Sequence, residues 1–186
     1  MRRLLILLLL GSAAGSLRAE GLAFQYTIER EKGGTVPVAL LKGFETKDGL
    51  RLKVKLAQTS YCYVIMGDGK DRYRLAFPDL ENKRSDGLAA NEWAKIPKST
   101  FVRIGDDPGV ERMYLVVASQ RIPELEDLFA RGGTVISETL ALDVRDRYHG
   151  DGSYSRELEG DTISVRFRPR TAATSVVVEE ISLRMR

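Results

Sequence analysis

The stretch Leu50-Arg51-Leu52-Lys53-Val54-Lys55-Leu56 alternates strictly between aliphatic and basic residues. A period of two is typical of a β-strand that has one buried face and one face in water. Complete burial of each aliphatic side chain would stabilise the folded state by roughly 1.5–3 kcal/mol. The stretch therefore predicts an amphipathic strand that packs on an apolar core.

Other segments of the chain carry similar strand patterns, separated by residues that favour turns. The predicted strands are 22–30, 35–41, 61–66, 72–77, 93–96, 101–104, 112–119, 162–168 and 175–185. In the last of these, Val176 and Val178 share one face whereas Ile181 and Leu183 share the other, which predicts a bulge near Glu179. We expect Trp93, the only tryptophan, to pack in the core.

Two segments have helical patterns. Pro123 followed by acidic residues, with Gly132 as a stop, predicts one short helix. Leu140, Val144 and Tyr148 recur at four-residue spacing and predict a second helix from Ser137 that ends before Gly150. The predicted fold class is mainly all-β: a single β-sandwich or open barrel-like domain with one or two short helical insertions.

The 186 residues favour one domain rather than two. Arg2 and Arg3, an apolar run over 4–10 and small residues after it predict a signal peptide over 1–19. A single β-rich domain would then occupy 20–186, with a helical or loop insertion over 130–160. We expect a periplasmic or secreted protein with no stable membrane span after cleavage, because the apolar run is too short to cross a bilayer. An uncleaved N-terminal anchor is the alternative.

Charge and cysteine content narrow the possible classes of protein. The formal net charge is +3, and three basic residues with no acidic residue lie in the first 19 positions, so the remainder of the chain is balanced. That balance argues against nucleic-acid binding, which needs a surplus of positive charge. Cys62 is the only cysteine, so no disulfide can form within the domain, and we expect a buried, unreactive thiol.

Six short motifs lie between residues 23 and 129: Leu50-Arg51-Leu52-Lys53-Val54, Tyr61-Cys62-Tyr63-Val64, Leu75-Ala76-Phe77-Pro78, Ile96-Pro97, Pro108-Gly109-Val110-Glu111 and Tyr114-Leu115-Val116-Val117-Ala118-Ser119. In their order and spacing they resemble a bacterial protein family, the domain of unknown function 4384. The family occurs in bacterial envelope proteins and as a module beside kinase or peptidase domains. The resemblance implies a binding or sensing role and supplies no catalytic residues.

Candidate chemistry is sparse. The chain has one histidine and lacks the nucleophile-elbow, P-loop, dinucleotide and zinc-protease motifs. The one group of residues that could hold a metal or act in hydrolysis is Asp143, Asp146, His149 and Asp151, and the alternative for it is a solvated polar loop. No cofactor is expected.

Basic residues supply the second candidate site. Arg51, Lys53 and Lys55 share one strand face, and Arg166 and Arg168 share another. If the two strands were neighbours, these side chains would form a positive surface suited to an anionic lipid or polysaccharide. The alternative is that they only keep an exposed strand soluble.

Together these features favour an exported, non-catalytic binding or sensing module of the bacterial cell envelope, with another envelope protein as its partner. One alternative is a hydrolytic enzyme or metal-binding protein that uses the acidic residues and His149. Another is an envelope assembly or structural factor that donates its C-terminal strand, 175–185, to a neighbouring sheet.

Overall fold

The structure, a computed structural model, describes residues 21–32, 34–36, 42–45, 48–68, 70, 72–78, 87–103, 110–148, 152–170 and 175–185. The elements within these ranges are β1 (Leu22–Arg30), β2 (Gly34–Val36), β3 (Lys42–Phe44), β4 (Gly49–Leu56), β5 (Tyr61–Gly67), β6 (Tyr73–Phe77), β7 (Trp93–Ile96), β8 (Val102–Arg103), β9 (Val110–Ala118), α1 (Pro123–Ala130), β10 (Val135–Ile136), α2 (Glu138–Tyr148), β11 (Gly152–Glu159), β12 (Thr162–Pro169) and β13 (Val176–Met185). The predicted fold class is confirmed, and the two-sheet alternative is the one observed.

One sheet, which we call the outer sheet, has the strand order β11-β12-β1-β4-β7, with β2 beside β1 and β8 beside β4. Its neighbouring strands are antiparallel. In β4 the four aliphatic residues are buried, and the three basic residues between them are partly exposed. The strand predicted from this alternation is therefore confirmed, and the outer sheet has one buried and one wet face.

The second sheet, which we call the central sheet, has the order β10-β6-β5-β9-β13-β3. Alternate residues of β5 enter two different apolar clusters. Cys62 and Val64 pack towards the outer sheet, whereas Tyr63 and Ile65 pack with α1 and α2. The molecule thus has three layers, with the central sheet buried on both faces between the outer sheet and the helices.

Both predicted helices are present. The hydroxyl of Tyr63 accepts a hydrogen bond from the backbone N–H of Ile122, at the start of α1, at 3.1 Å, and donates to Glu126 at 2.7 Å. This tyrosine therefore attaches the helix to the central sheet. None of the helices in the described ranges is long and apolar enough to cross a membrane.

The bulge expected near Glu179 is not observed. Strand β13 pairs with β9 from Val176 to Arg184 without a shift in register. The apolar residues switch from one strand face to the other because both faces of β13 are buried. Val176 and Val178 pack with the helices, and Val177 and Ile181 pack against the outer sheet. No bulge is needed when each face has its own core.

The described residues of the segment 130–160 form more than a helix and loops. Besides α2, it contains β10, which pairs with β6, and β11, which pairs with β12 along eight residues and forms an edge of the outer sheet. The prediction that 130–160 is only a helical or loop insertion was therefore wrong for the residues that form β10 and β11. The predicted signal peptide, 1–19, lies outside the described residues, as does the end of the predicted strand 35–41.

Candidate binding surface on the outer sheet

The strand order decides how the two sets of basic residues lie. Strand β1 separates β4 from β12, so the strands that carry them are not neighbours. Two strand spacings correspond to about 10 Å. Arg51, Lys53 and Lys55 nevertheless share the wet face of the outer sheet with Arg166 and Arg168, with the outward residues of β1 between them.

At one end of this face the positive charge is neutralised. Arg51 donates to Glu29 of β1 at 2.9 and 2.6 Å, and the Lys53 ammonium lies 3.4 Å from the same carboxylate. Burial alone would raise the pKa of Glu29, but the hydrogen bonds and charges of Arg51 and Lys53 hold that pKa below its ordinary value. Arg51 also lies over the ring of Phe101, 4.5 Å from its centroid. This end of the face is a structural ion-pair network.

At the other end the cations surround a groove. Arg166 lies opposite Ala23 on β1, and Lys55 lies opposite Gln25 two residues further along, so the two cations are diagonal across β1. Between them is a groove of about 240 Å³, which the small side chain of Ala23 leaves open. Gln25 donates to the hydroxyl of Ser164 at 3.1 Å along its floor.

One carboxylate lies beside the two cations of the groove, that of Glu157, which pairs with Ser164 from β11. Among the described residues, no carboxylate forms an ion pair with Lys55. Arg166 approaches Glu157 only at 3.9 Å, and both side chains are more than half exposed. An exposed pair at this distance contributes little to stability, because water screens it. Both cations therefore remain open to an added anion.

Trp93 does not lie in the core, contrary to expectation. It is 42% exposed on the wet face of β7, opposite Lys55, and the Lys53 ammonium lies 5.5 Å from the centroid of its ring. The expectation was wrong because Trp93 pairs with Lys55 on the face of the outer sheet that meets water, whereas Ile96 of the same strand enters the core. Lys95, which sequence reasoning did not select, is exposed on the same face opposite Lys53.

The structure describes two of the four residues that were candidates for metal binding or hydrolysis. Asp143 and Asp146 are exposed on α2, and Asp146 accepts a hydrogen bond from Arg145 at 2.7 Å. His149 and Asp151 lie outside the described residues. Within the described ranges, no three His, Cys, Asp or Glu side chains are grouped so that they could hold a metal ion.

Sequence reasoning missed a buried polar cluster. Glu179 of β13 is only 4% exposed and faces the outer sheet, where it accepts hydrogen bonds from the hydroxyl of Tyr26 and from Arg156, each at 2.7 Å, and from the hydroxyl of Tyr154. The sequence did indicate that Glu179 is buried, because Glu179 lies on the same strand face as the apolar residues Val177 and Ile181. The partners come from β1 and β11, so only the tertiary fold identifies them.

Comparisons of the chain with protein-family models, with curated proteins and with solved structures find no match. The resemblance to the domain of unknown function 4384 stays a prediction.

Proposed function

We propose that this chain is an exported, non-catalytic binding module of the bacterial cell envelope and that it contacts its partner through the wet face of the outer sheet. One observation carries the proposal. The cations Lys55, Lys95, Arg166 and Arg168 lie on a single sheet face, outside the ion-pair network of Arg51, Lys53 and Glu29, together with a half-exposed tryptophan. Surfaces that concentrate one sign of charge steer and hold partners of the opposite sign.

The chemistry of this face favours binding over catalysis. Lysine and arginine side chains that are open to water supply hydrogen-bond donors and positive charge, but not a nucleophile that is paired with a base. Two of the carboxylates described near α2 and β11 are paired with arginines, Asp146 with Arg145 and Glu179 with Arg156. Hydrolytic or metal chemistry would depend on His149 and Asp151, for which the described residues offer no support.

Assembly by donation of the C-terminal strand gains no support from the packing of β13. This strand pairs with β9 over nine residues, and its valines fill both apolar clusters. Donation to another protein would expose Val177 and Val178 to water, at a cost of roughly 1.5–3 kcal/mol for each side chain. The strand is therefore better explained as part of the core.

The partner that this surface favours is an acidic component of the envelope. We propose a periplasmic or secreted location, which the leader supports and which would bring the domain close to acidic envelope proteins and polymers. Attraction between exposed charges weakens as the ionic strength rises, because the Debye length falls from about 10 Å at 0.1 M salt to about 3 Å at 1 M. Binding should accordingly depend on salt.

Retention of the purified protein on a dextran sulfate column tests this function. We expect retention at low salt, elution by added salt, and much earlier elution of the double variant Lys95→Glu/Arg168→Glu. The matched control is Arg74→Glu/Arg131→Glu, which changes the net charge equally on β6 and at the end of α1, away from the outer sheet. Equal elution of the two double variants, or no retention at low salt, would contradict the proposal.

A further inference from the structure

We infer that the groove between Lys55 and Arg166 holds the anionic group of an acidic polysaccharide. This inference rests on the proposed function and names its ligand class and its contact site. The groove spans β4, β1 and β12, and its volume of about 240 Å³ is large enough for a sugar carboxylate or sulfate and part of its ring.

The donors at the groove suit an oxyanion. An arginine guanidinium can bind a carboxylate with two parallel hydrogen bonds, and a lysine ammonium carries three donors on a flexible stem. Arg166 and Lys55 approach the groove from opposite sides, so both could contact one anionic group. Hydrogen bonds of this charge-assisted kind are roughly twice as strong as neutral ones.

The floor of the groove adds a neutral donor. Because the hydroxyl oxygen of Ser164 accepts its hydrogen bond from Gln25, the hydroxyl proton of Ser164 is available for a ligand oxygen. Ser164 is buried, at 8% exposed, and lies on the same row as Gln25. A bound anion would therefore meet a fixed hydroxyl at the base of the groove as well as the two cations at its sides.

A backbone hydrogen bond holds the side of the groove next to Lys55 in place. Asn91 lines the groove with a φ of 62°, in the left-handed region that asparagine tolerates better than most residues. Its backbone N–H donates to the carbonyl of Leu56, the last residue of β4, at 2.7 Å. The loop that carries Asn91 is thus fastened to the strand that carries Lys55, and little ordering is needed when a ligand binds.

The register of the sheet extends the site beyond a single anion. Trp93, Lys55, Gln25 and Ser164 lie directly opposite one another on four neighbouring strands, in a row that crosses the sheet over roughly 14 Å. Tryptophan combines a large apolar surface with one N–H donor. A sugar ring likewise has apolar C–H faces and polar edges, so an extended acidic glycan can pack on Trp93 and place a charge in the groove.

The same face fits an acidic protein or a membrane less well. The core of a protein interface is apolar and depleted of charge, whereas this face carries cations, polar side chains and the carboxylates of Glu29 and Glu157 around one aromatic residue. A membrane-surface site would present several aliphatic or aromatic side chains for insertion. The observations therefore favour a glycan.

Titration calorimetry with oligogalacturonate, a carboxylated glycan, tests the inference. We expect Lys55→Ala and Arg166→Ala each to weaken binding about tenfold, equivalent to about 1.4 kcal/mol. The matched control is Arg131→Ala, which removes an exposed cation at the end of α1, away from the outer sheet, and should weaken binding less than about threefold. Equal melting temperatures would show that the variants remain folded.

Three results would overturn the inference, and they are distinguishable. If Lys55→Ala and Arg166→Ala bind oligogalacturonate as the wild type does, the groove is not the site, although the proposed function stands. If polyglutamate or phosphatidylglycerol vesicles bind as tightly as the glycan, the ligand class is wrong. If the wild type binds neither oligogalacturonate nor dextran sulfate, the inference and the proposed function fail together.

Discussion

Glu179 is an acidic side chain on the face of β13 that also carries Val177 and Ile181. Burial of an unpaired carboxylate would cost several kcal/mol. Here the carboxylate accepts three hydrogen bonds from side chains of the outer sheet, those of Tyr26, Tyr154 and Arg156. Because these donors come from β1 and β11, the cluster ties the edge of the outer sheet to the central sheet.

Tyr26 is the member of this cluster whose removal gives the clearest result. Burial and, next to it, the negative charge of Glu179 raise the pKa of Tyr26 above its ordinary value, so the phenol stays protonated in the folded protein. We expect Tyr26→Phe to lower the free energy of unfolding by about 2 kcal/mol at pH 7, since the hydrogen bond to charged Glu179 and the one from Arg156 are both lost.

The pH dependence of this effect has a definite sign. An unfolded tyrosine ionises near pH 10, whereas Tyr26 in the folded protein does not, so its contribution to stability is complete below about pH 10 and declines as the pH rises further. Urea denaturation at pH 7 and pH 10.5 should show a smaller alkaline loss of stability for Tyr26→Phe than for the wild type. Identical losses for both proteins would mean that Tyr26 ionises in the folded state.

Strand β13 differs from β4 in having apolar cores on both of its faces. Val177 packs towards the outer sheet and Val178 towards the helices, whereas Ser182 further along the strand is exposed. We expect Val177→Ala and Val178→Ala each to destabilise the domain by about 2 kcal/mol, since each removes buried methyl groups and leaves a cavity. Ser182→Ala should change stability by less than about 0.5 kcal/mol.

Urea denaturation monitored by circular dichroism measures all three variants. A harmless Val178→Ala would mean that the helices do not cover the central sheet in solution. A harmless Val177→Ala would question the packing of the two sheets on each other.

The elements that sequence reasoning predicted carry an apolar signal, on one face in β4 and on both faces in β5 and β13. Alternation identified β4, and Pro123 with Gly132 bracketed α1, which runs from Pro123 to Ala130. Strand β11 escaped prediction because its residues after Gly152 are all exposed and its inward positions include Arg156. An edge strand without a buried side chain carries no periodic apolar signal, and its pairing with β12 depends on the rest of the sheet.

The candidate site was predicted only in its residue types. The sequence identified the basic faces that include Lys55 and Arg166, but it could not supply the strand order that places β1 between them. It likewise could not show that Ala23 leaves a groove there, or that Trp93 joins the row at an edge strand. Strand neighbours are set by contacts between residues far apart in the chain, which local patterns do not encode.

The three layers of the molecule share the central sheet, so we expect them to unfold together. Cys62 lies in β5 between the two sheets and is 0% exposed, and burial raises the pKa of its thiol well above the ordinary value. The thiol can therefore react only when the sheets separate. In a protein of ordinary stability, we expect a thiol reagent to label Cys62 at least about a thousandfold more slowly in the folded state than in urea.

The labelling rate also tests whether the layers separate independently. If opening is global, the free energy obtained from the rate of Cys62 labelling will equal the free energy of unfolding obtained from urea denaturation by circular dichroism. Cys62→Ser, which leaves no thiol in the chain, gives the background rate. A labelling free energy well below the urea value would contradict the expectation, because it would require the outer sheet to lift from the central sheet while the helices stay packed.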